Sequence, residues 1–596
     1  MAKTVRIGGA CAFYGDSSVA PTQLINAGVD YLILDYLAEA TMSALGSMKR
    51  HRADLGYAAD FTEWVWKDNL AALKATGTKI VTNAGGVNPK ACVERMQAIA
   101  AEAGYDFRIA YVEGDDLLGR LDEIADQTEM FTHAPFPPRD KIVTANAYLG
   151  GGPIAHALAM GADMVITGRC VDSALTLGIC IHEFGWKAED YDKLSQASLA
   201  GHVIECGAQG SGGLFTDWEA VPDWENIGYP IVECQADGSF VVTKPEGSGG
   251  LVNKAVVAEQ ILYEVGDPQA YLLPDVACDF TEVQLEQVGE NRVRVTGSIG
   301  RAPTGKYKVC VTWEDGFRCM GFMTIVGRDA AKKAQRQAEA VLARCNRMLR
   351  DRNMGPYRTS RIELIGAESS YGAHARGMDT REVVYKLAAE HDDADAFKPF
   401  LREFDSPTTS MSVGTAGWFG ARAQVTSVSR VFSVAIPRDQ VPATITLGSK
   451  VETITEPVPA KVFDPAAIVR PAAPAEPVAD GELVEVPLVS VAWGRSGDKG
   501  DAFNIGVIAR KPEALPWIRA ALSPEAMLSW FAHEFEGGAH PAVLRYDLPG
   551  LNAVNLHFLD ALGGGQFASL RLDPLAKGKA QQLLDMPVKV PAHMVA

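Results

Sequence analysis

Across its first 185 residues the chain alternates short apolar runs with amphipathic stretches, and this alternation limits the fold more than any other feature. Thr4–Ala12, Tyr31–Leu34, Lys79–Asn83, Phe107–Val112 and Asp163–Thr167 read as strands, with helix patterns between them. A run such as Tyr31–Leu34, apolar at every position, suits a strand covered on both faces. Repeated strand-then-helix units predict a mostly parallel sheet with helices on both sides. Phe61–Ala75 predicts a helix stopped by Gly77, and Asp115–Ala125 one with acids in its first turn. Ligands of such a fold sit beyond the carboxyl ends of the strands. Those ends are Gly15–Ser18, Asp35–Tyr36, Asn83–Asn88, Glu113–Asp115 and Gly168–Ser173.

The pattern changes after residue 200. Glycine-dense loops precede alternating strands (Phe280–Val288, Arg292–Ser298, Tyr307–Trp313), a long helix near Ala330–Arg350 and a strand-rich ending over Gly414–Pro437. Single cores stop growing near ~250–300 residues, so 596 residues imply several domains. The expected division is an α/β part over 1–200 and an α+β part over 201–450, together forming one core. A Pro/Ala-rich linker follows over 451–485, then a small ferredoxin-like α+β domain over 486–596, read from two βαβ-like units.

Fifty-six basic against 74 acidic residues leave a net charge of −18. Such a chain repels polyphosphate at long range, which argues against nucleic acid as a partner, although a local basic pocket still accommodates a small anion. The ten cysteines are never closer than nine positions and show no zinc spacing, as expected of reduced thiols in a cytoplasmic protein. No leader pattern opens the sequence. The longest uncharged run, Ile142–Ala162, is broken by Asn, Gly and Pro, so no membrane partner is expected. A homo-oligomer is the ordinary state for a chain of this size.

Several motifs bear on chemistry. Residues 148–173 contain Gly150, Gly151 and Gly152 before a helix beginning at Pro153, and free amides at a helix start attract phosphate or carboxylate. A tight turn is the plain alternative. Gly150, Gly152 and Ala155 also fit a dinucleotide fingerprint, but the strand before them is short and distant. In the loop after the run MVIT, Arg169 is positioned to hold a substrate anion while Asp172 exchanges a proton beside Ser173; alternatively the loop is salt-bridged, with Asp172 as a helix cap. Asn83, Gly85, Gly86 and Asn88 form a flexible loop before Pro89, suited to an oxyanion or to a simple turn. Asp16 and Ser17 have the same ambiguity. Asp35 ends a buried run, where a carboxylate tends towards a raised pKa and acid/base work, unless it serves as a cap or ion pair. The string GRSGDKGDAFNIG places Arg495, Asp498, Lys499 and Asn504 around a glycine-rich turn, suited to an anion or to a domain interface.

Other chemistries lack their signatures. GRAPTGKY has P-loop spacing, but Tyr307 replaces the hydroxyl residue and a strand follows. There is neither a GxSxG elbow nor an HExxH motif, the histidines do not cluster, and no metal is expected. Cys170 and Cys206 have no readable activating base.

The strings RIGGACAFYGDS, NAGGVNP, GGGPIAHAL–GADMVITGRCVDSAL, LPDVACDF and RIELIGAESSYG, in this order, resemble the acyclic terpene utilisation (AtuA) family. The tail VAWGRSGDKGDAFNIGVIAR resembles the small ferredoxin-like domain often joined to it. The resemblance implies a role in breakdown of acyclic terpenoids such as citronellol and geraniol, whose carbon passes through branched acyl-CoA thioesters. It carries over no catalytic residues. With the thioester that the resemblance implies, the residues lead to the expectation of a hydratase or dehydratase. Asp172 or Asp35 would be the base, coenzyme A would be part of the substrate, and no further cofactor would be required. The alternatives are a non-catalytic acyl-CoA-binding or scaffolding subunit, and a nucleotide-dependent oxidoreductase that would need NAD or NADP.

Overall fold

The computed structural model describes residues 3–472, 477–478 and 481–595. Five parallel strands form the centre of an eleven-stranded sheet, in the order β1 (Thr4–Gly9), β2 (Tyr31–Leu34), β3 (Lys79–Thr82), β6 (Met164–Thr167) and β4 (Ile109–Glu113). The missing member in chain order, β5 (Ile142–Ala147), leaves this sheet and pairs with the long strand Lys306–Val326 of a second, antiparallel one. Antiparallel strands extend the first sheet at both edges. β7 (Ile231–Gln235) and β8 (Phe240–Thr243) lie beside β1, and Ala443–Leu447 lies beside β4.

The apolar runs are continuous because both faces are covered. Tyr31 and Ile33 of β2 point into one hydrophobic cluster, Leu32 and Leu34 into the other. The helices α1 (Val19–Asn26), α2 (Glu39–His51), α3 (Lys67–Thr76) and α4 (Pro89–Glu102) contribute to the cluster holding Leu32. The other is filled by α5 (Gly152–Ala159), α6 (Ala174–Phe184), α7 (Tyr191–Ile204) and α8 (Lys254–Leu262). Each fully buried leucine in these layers stabilises the fold by roughly 1.5–3 kcal/mol.

One local expectation differs from the structure, and another holds with an added irregularity. Residues 115–125 form only 3-10 turns over Leu118–Glu123, with Arg120 outside helical geometry, although Leu117 and Ile124 on either side are buried in the core. In the α3 region, Phe61–Trp66 adds a π-helical turn before Lys67–Thr76, and Gly77 ends the helix with a left-handed φ of 73°.

The beginning of the Pro/Ala-rich segment is ordered into the main sheet. Lys450–Ile454 pairs with Ala443–Leu447, and Phe463 is buried further on. Residues 473–476, 479 and 480 of that segment lie outside the described residues. The small domain is a four-stranded sheet made of two hairpins, Ala492–Lys499 with Ala502–Ala509 and Ala542–Leu548 with Ala553–Leu559. All neighbours are antiparallel, including the central pair between the hairpins, so hairpins stand where βαβ units were expected. Three short helices, Leu515–Ala521, Pro524–Trp530 and Lys579–Leu584, contribute to its own core. Among the described residues no helix is long and apolar enough to cross a membrane.

Candidate functional site

The carboxyl ends of β2, β3 and β6 converge on one buried group of ionisable side chains. Asp35 follows β2 directly and is 6% exposed. Its Oδ1 accepts from the Leu37 amide at 3.1 Å and from Asn83 Nδ2 at 2.6 Å, while Asn83 Oδ1 accepts from the Tyr36 amide at 2.8 Å. Asn83 at the end of β3 thus fixes the turn that presents Asp35. Burial pushes the Asp35 carboxyl well above the usual range, the charge of Asp172 pushes it further, and Arg169 opposes both.

Arg169 and Asp172 occupy the loop after β6. Arg169 Nη1 donates to Asp172 Oδ1 at 2.7 Å and to the Cys170 carbonyl at 2.6 Å, and its guanidinium lies 4.0 Å from the centre of the Tyr148 ring. The Arg169 amide donates to Asp115 Oδ2 at 2.9 Å, which ties the loop to the end of β4. Burial opposes the Arg169 charge, but Tyr148, Asp172, Glu39 and Asp35 outweigh it and hold the guanidinium firmly cationic. The N-cap position of α6 belongs to Ser173, and the Asp172 carboxylate is held by Arg169.

A second ring of charge closes around this pair. The Tyr148 hydroxyl donates to Glu39 Oε1 at 2.7 Å. Burial works against the Glu39 charge, but Lys308, Arg169 and Lys499 prevail and draw its carboxyl down to about 2. Glu205, just after α7, lies 3.2 Å from His202 Nδ1 and is pushed up to about 7, chiefly by burial. Its charge also raises Asp35.

The small domain reaches this group through one hairpin. Lys499 and Ala502 face each other across a two-residue turn, which Gly500 closes with a φ of 64°. Lys499 Nζ donates to Glu264 at 2.8 Å, and Glu264, Asp172 and Tyr271 support its charge, although the side chain itself is more than half exposed. Lys577 joins Glu264 at 3.3 Å and also contacts the Tyr263 hydroxyl. Burial disfavours the Glu264 charge, yet Lys499 and Lys577 bring its carboxyl to about 2. Asp498 is pushed up to about 7, first by burial and then by Glu264.

Four polar atoms of the site are buried without a hydrogen-bond partner: Arg169 Nε, Ser173 Oγ, His202 Nε2 and Glu205 Oε2. Leaving one such group unpaired costs about 1–3 kcal/mol, so their concentration here marks a place shaped for something other than the resting fold.

The other residues singled out in the sequence have mostly structural surroundings. At Gly150–Gly152 the protein supplies its own anions: the Gly151 amide donates to Asp275 Oδ2 at 3.0 Å, and a Cβ at Gly152 would fall 2.0 Å from Glu456 Oε1. The Gly151 amide therefore faces a carboxylate of the protein, and Gly150 and Gly152 pack closely against carboxylates. Gly85 and Gly86 allow close approach, since a Cβ would meet the Thr167 carbonyl at 2.5 Å and the Gly56 carbonyl at 2.6 Å. Asn88 donates to the carbonyls of Ala53 and Leu55. Asp16 accepts from the amides of Ala12 and Ser17, on the exposed loop after β1. Arg495 donates to the Leu214 carbonyl and to Gln209, and Asn504 donates to the Leu262 carbonyl at 2.7 Å, so both dock the small domain. Gly497 and Gly506 serve the same contact, where a Cβ would meet Glu264 or Leu262 at 2.4 Å. The structure thus brings Asp35, Asn83, Arg169, Asp172, Ser173, Asp498 and Lys499 around one site and leaves the remaining candidates outside it.

Glu39, Tyr148, His202, Glu205, Glu264, Tyr271 and Lys577 escaped the sequence reading. Glu205 carried a usable signal, an acid directly after the apolar run at the end of α7, comparable to Asp35 after β2. The thiols of Cys170 and Cys206 are raised above their usual range, chiefly by burial, which suits neither to nucleophilic attack. Among the described residues no group of three or more His, Cys, Asp or Glu is placed to hold a metal ion.

No curated protein and no solved structure matches the chain. Two family models do: the acyclic terpene utilisation family protein AtuA over residues 5–447, and the AtuA ferredoxin-like domain over residues 486–589. The first spans well over half of the chain and includes every strand end that builds the site, and the second contains the hairpin that carries Lys499. The chain therefore belongs to the acyclic terpene utilisation (AtuA) family, with its ferredoxin-like domain attached.

Proposed function

We propose that the chain is a hydro-lyase acting on a branched acyl-CoA of acyclic terpenoid breakdown, adding water across, or removing it from, the double bond next to the thioester. The observation that carries this reading is the unequal pairing of Asp35 with Asp172. One carboxyl is driven towards its protonated form by burial and a neighbouring charge, and the other is held by Arg169. Such a pair supplies an acid and a base in one site.

In the hydration direction Asp172 takes a proton from water as the water oxygen bonds to the β-carbon. The electron pair of the double bond moves towards the thioester oxygen, and Asp35 delivers its proton to the α-carbon. Arg169 Nε is a donor without a partner in the resting protein and is available to the enolate oxygen, with Lys499 adding positive charge nearby. Each turnover leaves Asp172 protonated and Asp35 ionised. One proton passing between them restores the starting state. The reaction requires neither a redox cofactor nor a covalent nucleophile.

The test is thermal stabilisation of the pure protein by coenzyme A, geranyl-CoA and related branched thioesters, followed by turnover. Stabilisation reaches ~2.7 kcal/mol at a hundredfold excess over Kd. Turnover abolished by either Asp35→Asn or Asp172→Asn supports the reading, and full turnover in both variants refutes it. Thioester binding with no turnover would make the chain an acyl-CoA-binding subunit instead.

A further inference from the structure

A separate cleft of about 220 Å³ opens between α2, β5 and the turn after β4. Lys49 and Arg50, in the last turn of α2, bring two positive charges to it, with Asp116 as the acid in its lining. Both cations are anchored by main-chain carbonyls, Lys49 to Val87 at 2.5 Å and Arg50 to Ile142, and each keeps further N–H donors. Val87 and Leu118 give the cleft apolar wall. Asn146 also lines it and is 2% exposed. Its Nδ2 donates to Asp115 Oδ2 at 2.8 Å, but its Oδ1 is buried with no partner. A buried acceptor left unpaired has a standing cost that a ligand N–H or O–H would remove.

The cleft therefore offers cationic donors for an anion, one acceptor for a ligand donor and an apolar wall. A phosphate ester that also carries hydroxyl or amide groups satisfies all three. The place is also connected to the reactive site. Helix α2 runs from Glu39, beside Tyr148 and Arg169, to Lys49 and Arg50, about 15 Å further on at ~1.5 Å per residue. Asp115 links the two sites directly, accepting from Asn146 on one side and from the Arg169 amide on the other.

We infer that this cleft binds the phosphate-bearing end of the substrate, with Lys49 and Arg50 on phosphate and Asn146 Oδ1 accepting from a neighbouring N–H or O–H. The link to the substrate rests on the acyl-CoA reading above; the phosphate site itself does not. The chain as a whole is strongly acidic, so the site works at short range and in competition with salt.

The experiment uses the full chain and two probes, adenosine 3′,5′-bisphosphate and inorganic phosphate, titrated calorimetrically into the wild type and into Lys49→Gln, Arg50→Gln and the double variant. Unchanged melting temperatures establish that the variants fold, and Arg50→Lys serves as the charge-preserving control. The expected result is saturable binding of the bisphosphate, weakened about tenfold by each single substitution and largely kept in Arg50→Lys. In turnover assays KM for the acyl-CoA rises by a similar factor with kcat unchanged, while the acyl-pantetheine thioester, which lacks the nucleotide, is unaffected. Equal bisphosphate affinity in the wild type and the double variant, or no binding of either probe, overturns the proposal. Inorganic phosphate binding that depends on Lys49 and Arg50, with acyl-CoA KM unchanged in the variants, overturns the link to the substrate and assigns the cleft to free phosphate. Bisphosphate binding lost in the variants of a protein that turns over no thioester would defeat the hydro-lyase reading and leave the cleft standing.

Discussion

Arg169 Nη1 stands 2.7 Å from Asp172 Oδ1, and the pair lies close enough to Asp35 for both charges to act on its carboxyl in opposite directions. One guanidinium therefore pairs with one acid and acts on the other. It binds the Asp172 carboxyl and moderates the rise that burial and Asp172 impose on Asp35.

Removing either acid should cost catalysis while leaving the fold intact. Asp172→Asn and Asp35→Asn are each expected to lower kcat by roughly 10²–10⁴-fold, the range for loss of a general acid or base. Asp35→Asn also removes a buried ionisable group, so its melting temperature at pH 8 should equal or exceed that of the wild type. Steady-state rates and thermal melts on the same samples check both statements.

Glu205 supplies the pH test. Its charge raises Asp35, so Glu205→Gln lowers the pKa at which Asp35 gives up its proton. If Asp35 acts as the acid, the alkaline limb of kcat/KM moves to lower pH in Glu205→Gln. A pH–rate profile of the two proteins reads this directly, and a limb that stays in place separates Glu205 from Asp35.

Glu259 offers a stability test outside the reacting pair. It is buried on α8, accepts from the Thr216 amide, and is pushed up to about 7, chiefly by burial. A carboxyl raised in the fold is neutral without penalty below its unfolded pKa, near 4.5, and destabilises progressively as pH rises through about 7. Glu259→Gln should therefore match the wild type near pH 4 and exceed it by up to about 3 kcal/mol above pH 8. Chemical denaturation at the two pH values gives the difference.

Asn555 locks the small domain to the large one. Its Nδ2 donates to the carbonyls of Val265 and Gly266 at 2.7 and 2.6 Å, and its Oδ1 accepts from Asn504. Asn555→Ala strands two acceptors at a buried contact and should cost about 2 kcal/mol or more. Because Lys499 sits on the same sheet, the variant should also lose thioester affinity, measurable as a raised KM beside the lowered melting temperature.

The sequence makes some parts of this protein legible and hides others for physical reasons. The parallel core shows itself because strands covered on both faces must be apolar throughout, as in Tyr31–Leu34 and Met164–Thr167. Asp35, Arg169 and Asp172 follow from the same pattern, since strand ends are where such folds place chemistry. Lys499 stood out by its glycines, although two of them, Gly497 and Gly506, serve the packing against Glu264 and Leu262. The anion cradle expected at Gly150–Gly152 failed because Asp275 and Glu456, 125 and 304 positions beyond Gly150 and Gly152, fill it. Glu39, Glu264 and Lys577 have no local signature: their roles come from contacts between segments that no spacing rule connects.

The most direct measurement is incubation of the pure protein with a branched, α,β-unsaturated acyl-CoA in ¹⁸O-labelled water, read by mass spectrometry. The account predicts a thioester product heavier by one labelled water, formed by the wild type and at least ~100-fold slower with Asp35→Asn and with Asp172→Asn. A thioester that binds but gains no label, or label gained equally by both variants, would contradict it.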